Sequence, residues 1–341
     1  MPFNPLQYYV DLFQNLRVDG ASLKKNGFVA PHQPILVLSL IQVFERGFVS
    51  NEKIYLTPEL VDLFTTNWSM LVPKGNYNPT IALPFYHLKS RIKGKTVRWW
   101  RLIANPGCEL LIESAGSMRS FRNITAAVDH AEIDLELAII LSNREDRAVL
   151  RQAVLQKYFP NKLGINLINI GGNFDEISNK IMNEDPAEYI ADIRELKERM
   201  SGSEQERELF QQEIFIRSGA FKRDIPKYYG YSCAISRLKV DAIFSVSMID
   251  ACHIIPFSKS YDDTIRNGLA LCPNLHRAFD RGLISINDNF EVIVSERFTE
   301  STDTLYSIKQ LAGRQILLPD EMRFYPSESN LNWHRNNIFQ A

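Results

Sequence analysis

Three polar residues in the C-terminal third of the chain stand where their side chains could do chemistry together. They lie in Ala251-Cys252-His253-Ile254-Ile255-Pro256, Asn267-Gly268-Leu269 and Leu275-His276-Arg277-Ala278-Phe279-Asp280, so His253, Asn267 and His276 are separated by 14 and 9 residues. Such groups at such intervals can assemble a one-metal site for phosphodiester hydrolysis. That reaction needs an activated water, a cation to stabilise charge on the phosphorane and leaving oxygen, and a rigid frame. A neutral imidazole is a suitable base near pH 7. His253 ends an apolar strand, and Ile254 and Ile255 beside it would hold the ring stiffly. His276 and Asp280 are four residues apart on an expected helix, so one face can present both as metal ligands. Asn267 opens an Asn-Gly step, which favours a turn, and its amide can tie the loop and orient His253. Asp250 is another carboxylate nearby, but strand alternation puts it on the face opposite His253.

The His-Ile-Ile-Pro, Asn-Gly-Leu-Ala-Leu-Cys and Leu-His-Arg-Ala-Phe-Asp segments make residues 205–341 resemble the HNH nuclease family. The resemblance implies a ββα-metal fold, His253 as general base, Asn267 fixing the loop and His276 as a metal ligand. It also implies a divalent cofactor, Mg²⁺ or Mn²⁺, with Co²⁺ or Ni²⁺ as alternatives. Asp280 as a second ligand rests on the helix spacing, beside the reading in which it pairs with Arg277 or Arg281. Many members carry an aspartate before the base histidine; here that position is Cys252. Thiolate is a poor partner for Mg²⁺, so Cys252 reads as packing. Family members often hold a structural zinc in paired Cys-x-x-Cys knuckles. Here Cys233 is followed at the third position by Ser236 and Cys272 by Leu275, so a structural zinc is not expected. With Cys108, the chain has four cysteines, too few for a disulfide scaffold.

A second chemical cluster lies in the N-terminal half. Lys89, Arg91, Lys93, Lys95, Arg98 and Arg101 follow one another without an intervening acid, and Tyr86, His87, Trp99 and Trp100 flank them. Basic groups neutralise phosphates and aromatic rings can stack on sugar and base. A solvated hairpin beside a buried Trp-Trp pair would give the same pattern. Four short segments add to this: His32-Gln33-Pro34-Ile35-Leu36-Val37-Leu38, Leu83-Pro84-Phe85-Tyr86-His87-Leu88, Trp100-Arg101-Leu102 and Leu155-Gln156-Lys157-Tyr158-Phe159-Pro160. Together they resemble the sulfur-binding domain of phosphorothioate-dependent (type IV) restriction endonucleases. In that family a sulfur replacing a phosphate oxygen sits in an apolar dimple. Sulfur is larger and less strongly hydrated than oxygen, so an apolar cup can prefer it while nearby cations hold the charge. The resemblance makes His32, Gln33, Pro84, Tyr86, His87, Lys89, Arg91, Lys93, Lys95 and Arg98 the candidate DNA contacts. Gln33 stands where the family usually has Lys or Arg, and Leu83 where it usually has Tyr.

The elements that must position these groups can be read coarsely. The chain has 341 residues, 45% hydrophobic and 23% charged, which suits about two globular domains. No apolar run reaches the roughly 20 residues that span a bilayer, and the start is no signal peptide, so a cytoplasmic location is expected. Net charge is −1, but residues 1–160 sum to +4, residues 161–200 to −3 and residues 251–341 to −2, so nucleic-acid affinity must come from local patches. Apolar periodicity predicts helices over 6–18 and 35–45. Thr57-Pro58-Glu59 opens another helix with an N-cap and a first-position proline. A Pro/Gly/Asn loop covers 73–79, strands are expected near 97–103 and 109–112, and two helices over 134–159 part near Ser142-Asn143. Residues 161–204 read as a connector with an acidic helix near 186–200. A helix from Glu204 should stop at Pro226, and strands at 241–246 and 249–255 with a helix at 273–281 would complete a ββα unit.

The fold class expected is therefore α+β: a mainly helical DNA-reading domain over 1–160, a connector over 161–204 and an HNH nuclease domain over 205–341. The expected function is metal-dependent cleavage of foreign, phosphorothioated double-stranded DNA, as in restriction of phage. One HNH site cuts one strand, so a double-strand break would need a homodimer or two visits. Two alternatives stay open: an HNH endonuclease acting on unmodified or differently modified DNA, and an inactive HNH fold serving as a DNA-binding sensor.

Overall fold

The computed structural model describes residues 4–18, 30–73, 77–113, 118–163, 172–240, 247–301, 303 and 306–341. Helices and small antiparallel sheets together make it an α+β protein. Two compact units divide the chain: Met1–Phe174 with Met200–Ile216, and Asp175–Arg199 with Arg217–Ala341.

In the first unit the His32–Glu45 helix is apolar all round and is buried from Gln33 to Phe44, as such a helix must be. Two of its buried polar side chains are met by a neighbouring helix: Asn67 Nδ2 donates to Ser39 Oγ at 3.0 Å and to Gln42 Oε1 at 2.6 Å. The expected cap forms, with Thr57 accepting from Leu60 N and Pro58 opening the Pro58–Leu71 helix. The paired helices Leu135–Ser142 and Arg144–Tyr158 part at Asn143, whose side chain caps the second by accepting from Glu145 N and Asp146 N. The first helix is shorter than its periodicity suggests, Pro5–Gln14.

Lys53–Ile54, Val128–Ile133 and Trp100–Ala104 form a three-stranded antiparallel sheet with Val128–Ile133 in the centre. The basic segment forms a separate hairpin, Ser90–Ile92 against Lys95–Val97. Lys93 and Gly94 turn it with φ of 48° and 79°, the two positive values that a two-residue hairpin turn needs. Trp99 Nε1 donates to Ser90 Oγ and Trp100 Nε1 to Phe85 O, so this buried pair anchors the hairpin.

The expected strand at 109–112 is a short helix instead, Glu109–Glu113. The Pro106-Gly107 turn aims Cys108 O at Leu111 N and Ile112 N, which starts a helical turn. Leu110 and Leu111 stay exposed, so no alternating buried face exists to favour a strand.

In the second unit, Asp250–His253 pairs antiparallel with Gly268–Leu271, His253 opposite Gly268. The Pro273–Asp280 helix follows at once, giving the ββα unit. The expected strand 241–246 lies outside the described residues, and the partner of Asp250–His253 comes from beyond the loop. A Cβ at Gly268 would meet Ile225 Cδ1 at 2.4 Å, so glycine lets this strand approach the Glu204–Tyr228 helix. That helix does not stop at Pro226 but runs to Tyr228. Proline there removes only a bond in the last turn, where it is tolerated better than mid-helix.

The C-terminal helix Glu328–Asn337 is docked by His334. Its ring is 1% exposed, stacks on Phe279 with centroids 3.7 Å apart, donates from Nε2 to Phe279 O and accepts at Nδ1 from Ser285 Oγ. Burial is the main cause pulling its pKa from 6.5 down to about 4. A histidine depressed by folding binds its proton more readily when unfolded. Its stabilising contribution is complete above pH 6.5 and is lost as pH falls toward 4, about 3 kcal/mol in all. Urea midpoints should therefore drop between pH 6.5 and 4, and His334→Asn should flatten that part of the profile.

Candidate functional site

His253 ends its strand with one ring face stacked on Phe221, centroids 3.9 Å apart and planes 7° from parallel. Its Nε2 meets Asp263 Oδ1 at 2.7 Å. An ionised carboxylate only accepts, so Nε2 carries the proton and the neutral ring leaves Nδ1 unprotonated. Asp263 itself is fully buried. The pair fixes both the tautomer and the orientation that a base requires.

Asn267 acts on the loop between these two residues. Its Oδ1 accepts from Ile255 N at 2.9 Å and Asn330 Nδ2 at 3.0 Å, while its Nδ2 donates to Ile255 O and Asp262 O, both at 2.9 Å. The side chain thus ties residues 255–262 but does not bond His253, which is oriented instead by the Asp263 carboxylate that accepts from its Nε2. Asp262 extends the frame by accepting from Thr264 N, and burial raises its pKa.

His276 lies between two carboxylates, with Nδ1 3.3 Å from Asp250 Oδ2 and Nε2 3.4 Å from Asp280 Oδ2. The strand alternation that puts Asp250 opposite His253 is the same alternation that turns it toward His276. With Nδ1–H given to Asp250, Nε2 and Asp280 offer a nitrogen and an oxygen to one cation. Cys252 Sγ, a His276 nitrogen and an Asp280 oxygen converge within 4.8 Å of one another. Burial pushes the Cys252 thiol well up, and Sγ donates to Asp280 Oδ1 and His253 O. The thiol thereby joins the carboxylate by a hydrogen bond. The donors His276 and Asp280 fit a divalent cation that takes nitrogen and oxygen ligands and leaves positions open. His253, His276 and Asp280 all line one cleft of about 260 Å³.

The Ser236 and Cys272 positions converge without making a knuckle: Ser236 N donates to Cys233 Sγ and Ser236 Oγ lies 3.9 Å from Cys272 Sγ.

In the first unit the candidate contacts divide into two cups and a hairpin. His32, Gln33, Pro84 and His87 join Arg17, Val18, Ala30, Leu83 and Arg119 around a mostly apolar cup of about 400 Å³. Gln33 Nε2 donates to His87 O, and His32 Nε2 donates to Asn78 O. Burial lowers the pKa of His32, leaving its ring neutral at pH 7. Tyr86, His87, Lys89 and Arg98 join Trp100 and Arg101 around a second cup of about 530 Å³, so His87 belongs to both. Burial, then Lys89, Arg17 and Arg119, lower the pKa of His87; burial, then Arg17 and Arg98, lower that of Lys89. The Arg17, Arg98 and Arg119 charges thus add to burial in disfavouring the protonated forms of His87 and Lys89. Arg91, Lys93 and Lys95 line neither cup and stand exposed on the hairpin.

Two carboxylates that pair with the candidate histidines escape sequence reasoning. Asp263 has a usable signal, an acidic pair Asp262-Asp263 within the loop joining His253 to Asn267. The Asp250–His276 contact has none, because it depends on how helix and strand pack.

Comparison with known proteins places the class. Residues 233–287 match the family model for HNH endonucleases, so this stretch is an HNH endonuclease domain. Among curated proteins, none matches the chain. Among solved structures, the chain is similar to a modification-dependent TagI restriction endonuclease, with 18% identity, a TM-score of 0.25 and coverage of 35% of this chain and 37% of that one. The chain thus spans little more than a third of that protein's length in the match. Among the described residues, no helix is long and apolar enough to cross a membrane.

Mn²⁺ binding tests the ligand assignment directly. Calorimetric affinity should fall about 10- to 100-fold in His276→Ala and Asp280→Ala, while Asp250→Asn weakens it less and Cys252→Ser leaves it within about threefold.

Proposed function

We propose that this chain is a divalent-metal-dependent DNA endonuclease that restricts foreign DNA carrying phosphorothioate links, acting in the cytoplasm on double-stranded DNA. The observation that carries the hydrolytic part is the His253–Asp263 pair, which leaves Nδ1 as an unprotonated base in the cleft that also holds His276 and Asp280. Nδ1 takes the proton of a water as that water attacks phosphorus, and the buried Asp263 carboxylate stabilises the imidazolium that forms. His276 and Asp280 would hold the cation, and Asp250 and Cys252 orient them through hydrogen bonds. A bound Mg²⁺ or Mn²⁺ supplies electrostatic stabilisation of the charge that builds on the phosphate and leaving oxygen. Asn267 keeps the loop from drifting.

The reading of the first unit rests on the apolar cup beside cations. Leu83 and Pro84 offer a weakly polar wall that suits sulfur, and Arg17, Arg119 and the Lys89–Arg98 group stand where phosphate charge would be held. Double-strand breaks would come from a homodimer, and light scattering with size exclusion that finds only monomer on DNA would remove that element.

The decisive comparison uses two plasmids, one from a phosphorothioating host and one unmodified, incubated with Mn²⁺. Wild type should cut the modified plasmid alone and His253→Ala should cut neither. Equal cutting would retain the nuclease and discard the sulfur reader. Tight DNA binding with no cutting under Mg²⁺, Mn²⁺, Co²⁺ or Ni²⁺ would favour a sensor, a role that a thiol at Cys252 would suit.

The reader makes its own prediction. Lys89→Ala with Arg98→Ala should weaken duplex binding to modified and plain DNA alike and lower the salt slope by about one per lost phosphate contact. Leu83→Asp should instead erase the preference between them, measured by competition on matched duplexes.

A further inference from the structure

Asn330 stands 63 residues beyond Asn267 in the chain, yet its Nδ2 donates to Asn267 Oδ1 at 3.0 Å. Asn267 is fully buried, and its amide has four places to fill: two lone pairs on Oδ1 and two N–H groups on Nδ2. Ile255 N takes one lone pair and Asn330 the other, while Nδ2 donates to Ile255 O and Asp262 O. Backbone groups of the loop supply three of these partners, and Asn330 is the one side chain among the four. Turning the amide over would set Nδ2 against two donors and Oδ1 against two carbonyls, so each partner helps to fix its sense. Asn267 O also accepts from Ile254 N at 2.9 Å, so this residue grips the chain at the first two positions after His253. The Glu328–Asn337 helix that carries Asn330 reaches the other half of the site as well. Ser327 N, at its start, donates to Arg266 O at 2.8 Å. His334 stacks on Phe279 and donates to its carbonyl, in the helix that bears His276 and Asp280. His334 and Ile338 line the same cleft as His253.

We infer that Asn330 is a positioning residue for the base: its amide donor completes the hydrogen bonding of Asn267 and holds that side chain against the segment that follows His253. His334 fixes the same helix to the one that bears His276. The Glu328–Asn337 helix therefore acts as a clip across the strand-loop-helix turn and sets the separation of His253 from His276. A buried amide with three partners in place of four carries an unmet lone pair, and the loop it ties relaxes to meet it. A small displacement of the base costs rate, because the imidazole nitrogen must stay within hydrogen-bond reach of the water it activates. The proposal rests on the reading of His253 as the base.

The full-length chain tests it with Mn²⁺ and supercoiled plasmid of the kind that wild type cuts. Asn330→Ala removes the donor and leaves the buried Leu331 and His334 to dock the helix. It should lower kcat about 10-fold with KM for plasmid unchanged. In an Asn267→Ala background the same change should cost nothing more, since the acceptor is gone. Asn332→Ala alters an exposed residue of the same helix and should leave kcat at the wild-type value. Wild-type kcat in Asn330→Ala, losses that multiply in the double variant, or an equal loss in Asn332→Ala would overturn the inference. A second readout does not need turnover. Hydrogen exchange at the Ile255 amide, which donates to Asn267 Oδ1, should quicken about 5- to 10-fold in Asn330→Ala. The Ile338 amide, which donates to His334 O, should keep its rate. An unmoved rate at Ile255, or an equal rise at Ile338, would overturn the inference. If wild type cuts no plasmid, the nuclease reading fails, and the exchange rates still decide whether Asn330 positions the segment after His253.

Discussion

The hydrogen bond between His253 Nε2 and the buried Asp263 carboxylate is the constraint on which the arrangement around His253 depends. It selects the tautomer, and the tautomer decides which nitrogen can accept a proton. Much of the second unit then serves to keep the two ends of that bond in place. Phe221 flattens the imidazole from one side, Gly268 admits the neighbouring strand close to Ile225, and Asn267 braces the loop through four hydrogen bonds. The buried carboxylate depends on the imidazole N–H that it accepts from at Oδ1, so losing either partner would leave a buried polar group uncompensated.

The His276 and Asp280 pair is placed on a different principle. His276 and Asp280 are partly open to the cleft, and their placement depends on helix geometry, which brings residues four apart to one face. The cysteine beside them is buried and donates a hydrogen bond to the Asp280 carboxylate. The first unit works with shape and charge: an apolar cup and a cationic one meet at His87.

Local signals in the sequence carried over well where local physics decides the outcome. Thr57-Pro58 opened its helix, Asn143 parted two helices, and the His253–Asn267–His276 spacing gathered three residues around one strand-loop-helix turn. Long-range geometry stayed hidden. Asp263 reads as an ordinary loop acid until the loop folds back, and the Asp250 contact required the helix packing that alternation alone does not supply. The short Glu109–Glu113 helix shows the opposite failure, an apolar run whose pattern suits a strand but whose preceding turn starts a helix. The cups were legible only as separate motifs, because residues 32–33, 83–87 and 98–101 meet through tertiary folding.

The chain's route has a consequence for how such a protein can be taken apart. After contributing residues 175–199 to the second unit, it returns to the first for residues 200–216. There Gln212 accepts from Ile81 N and donates to Pro79 O, and Glu208 accepts from Phe121 N. A fragment ending at Pro160 would lack these partners and leave buried backbone groups bare. Moving the first unit into another chain would therefore mean transplanting two separate stretches, because its boundary is not a single point in the sequence.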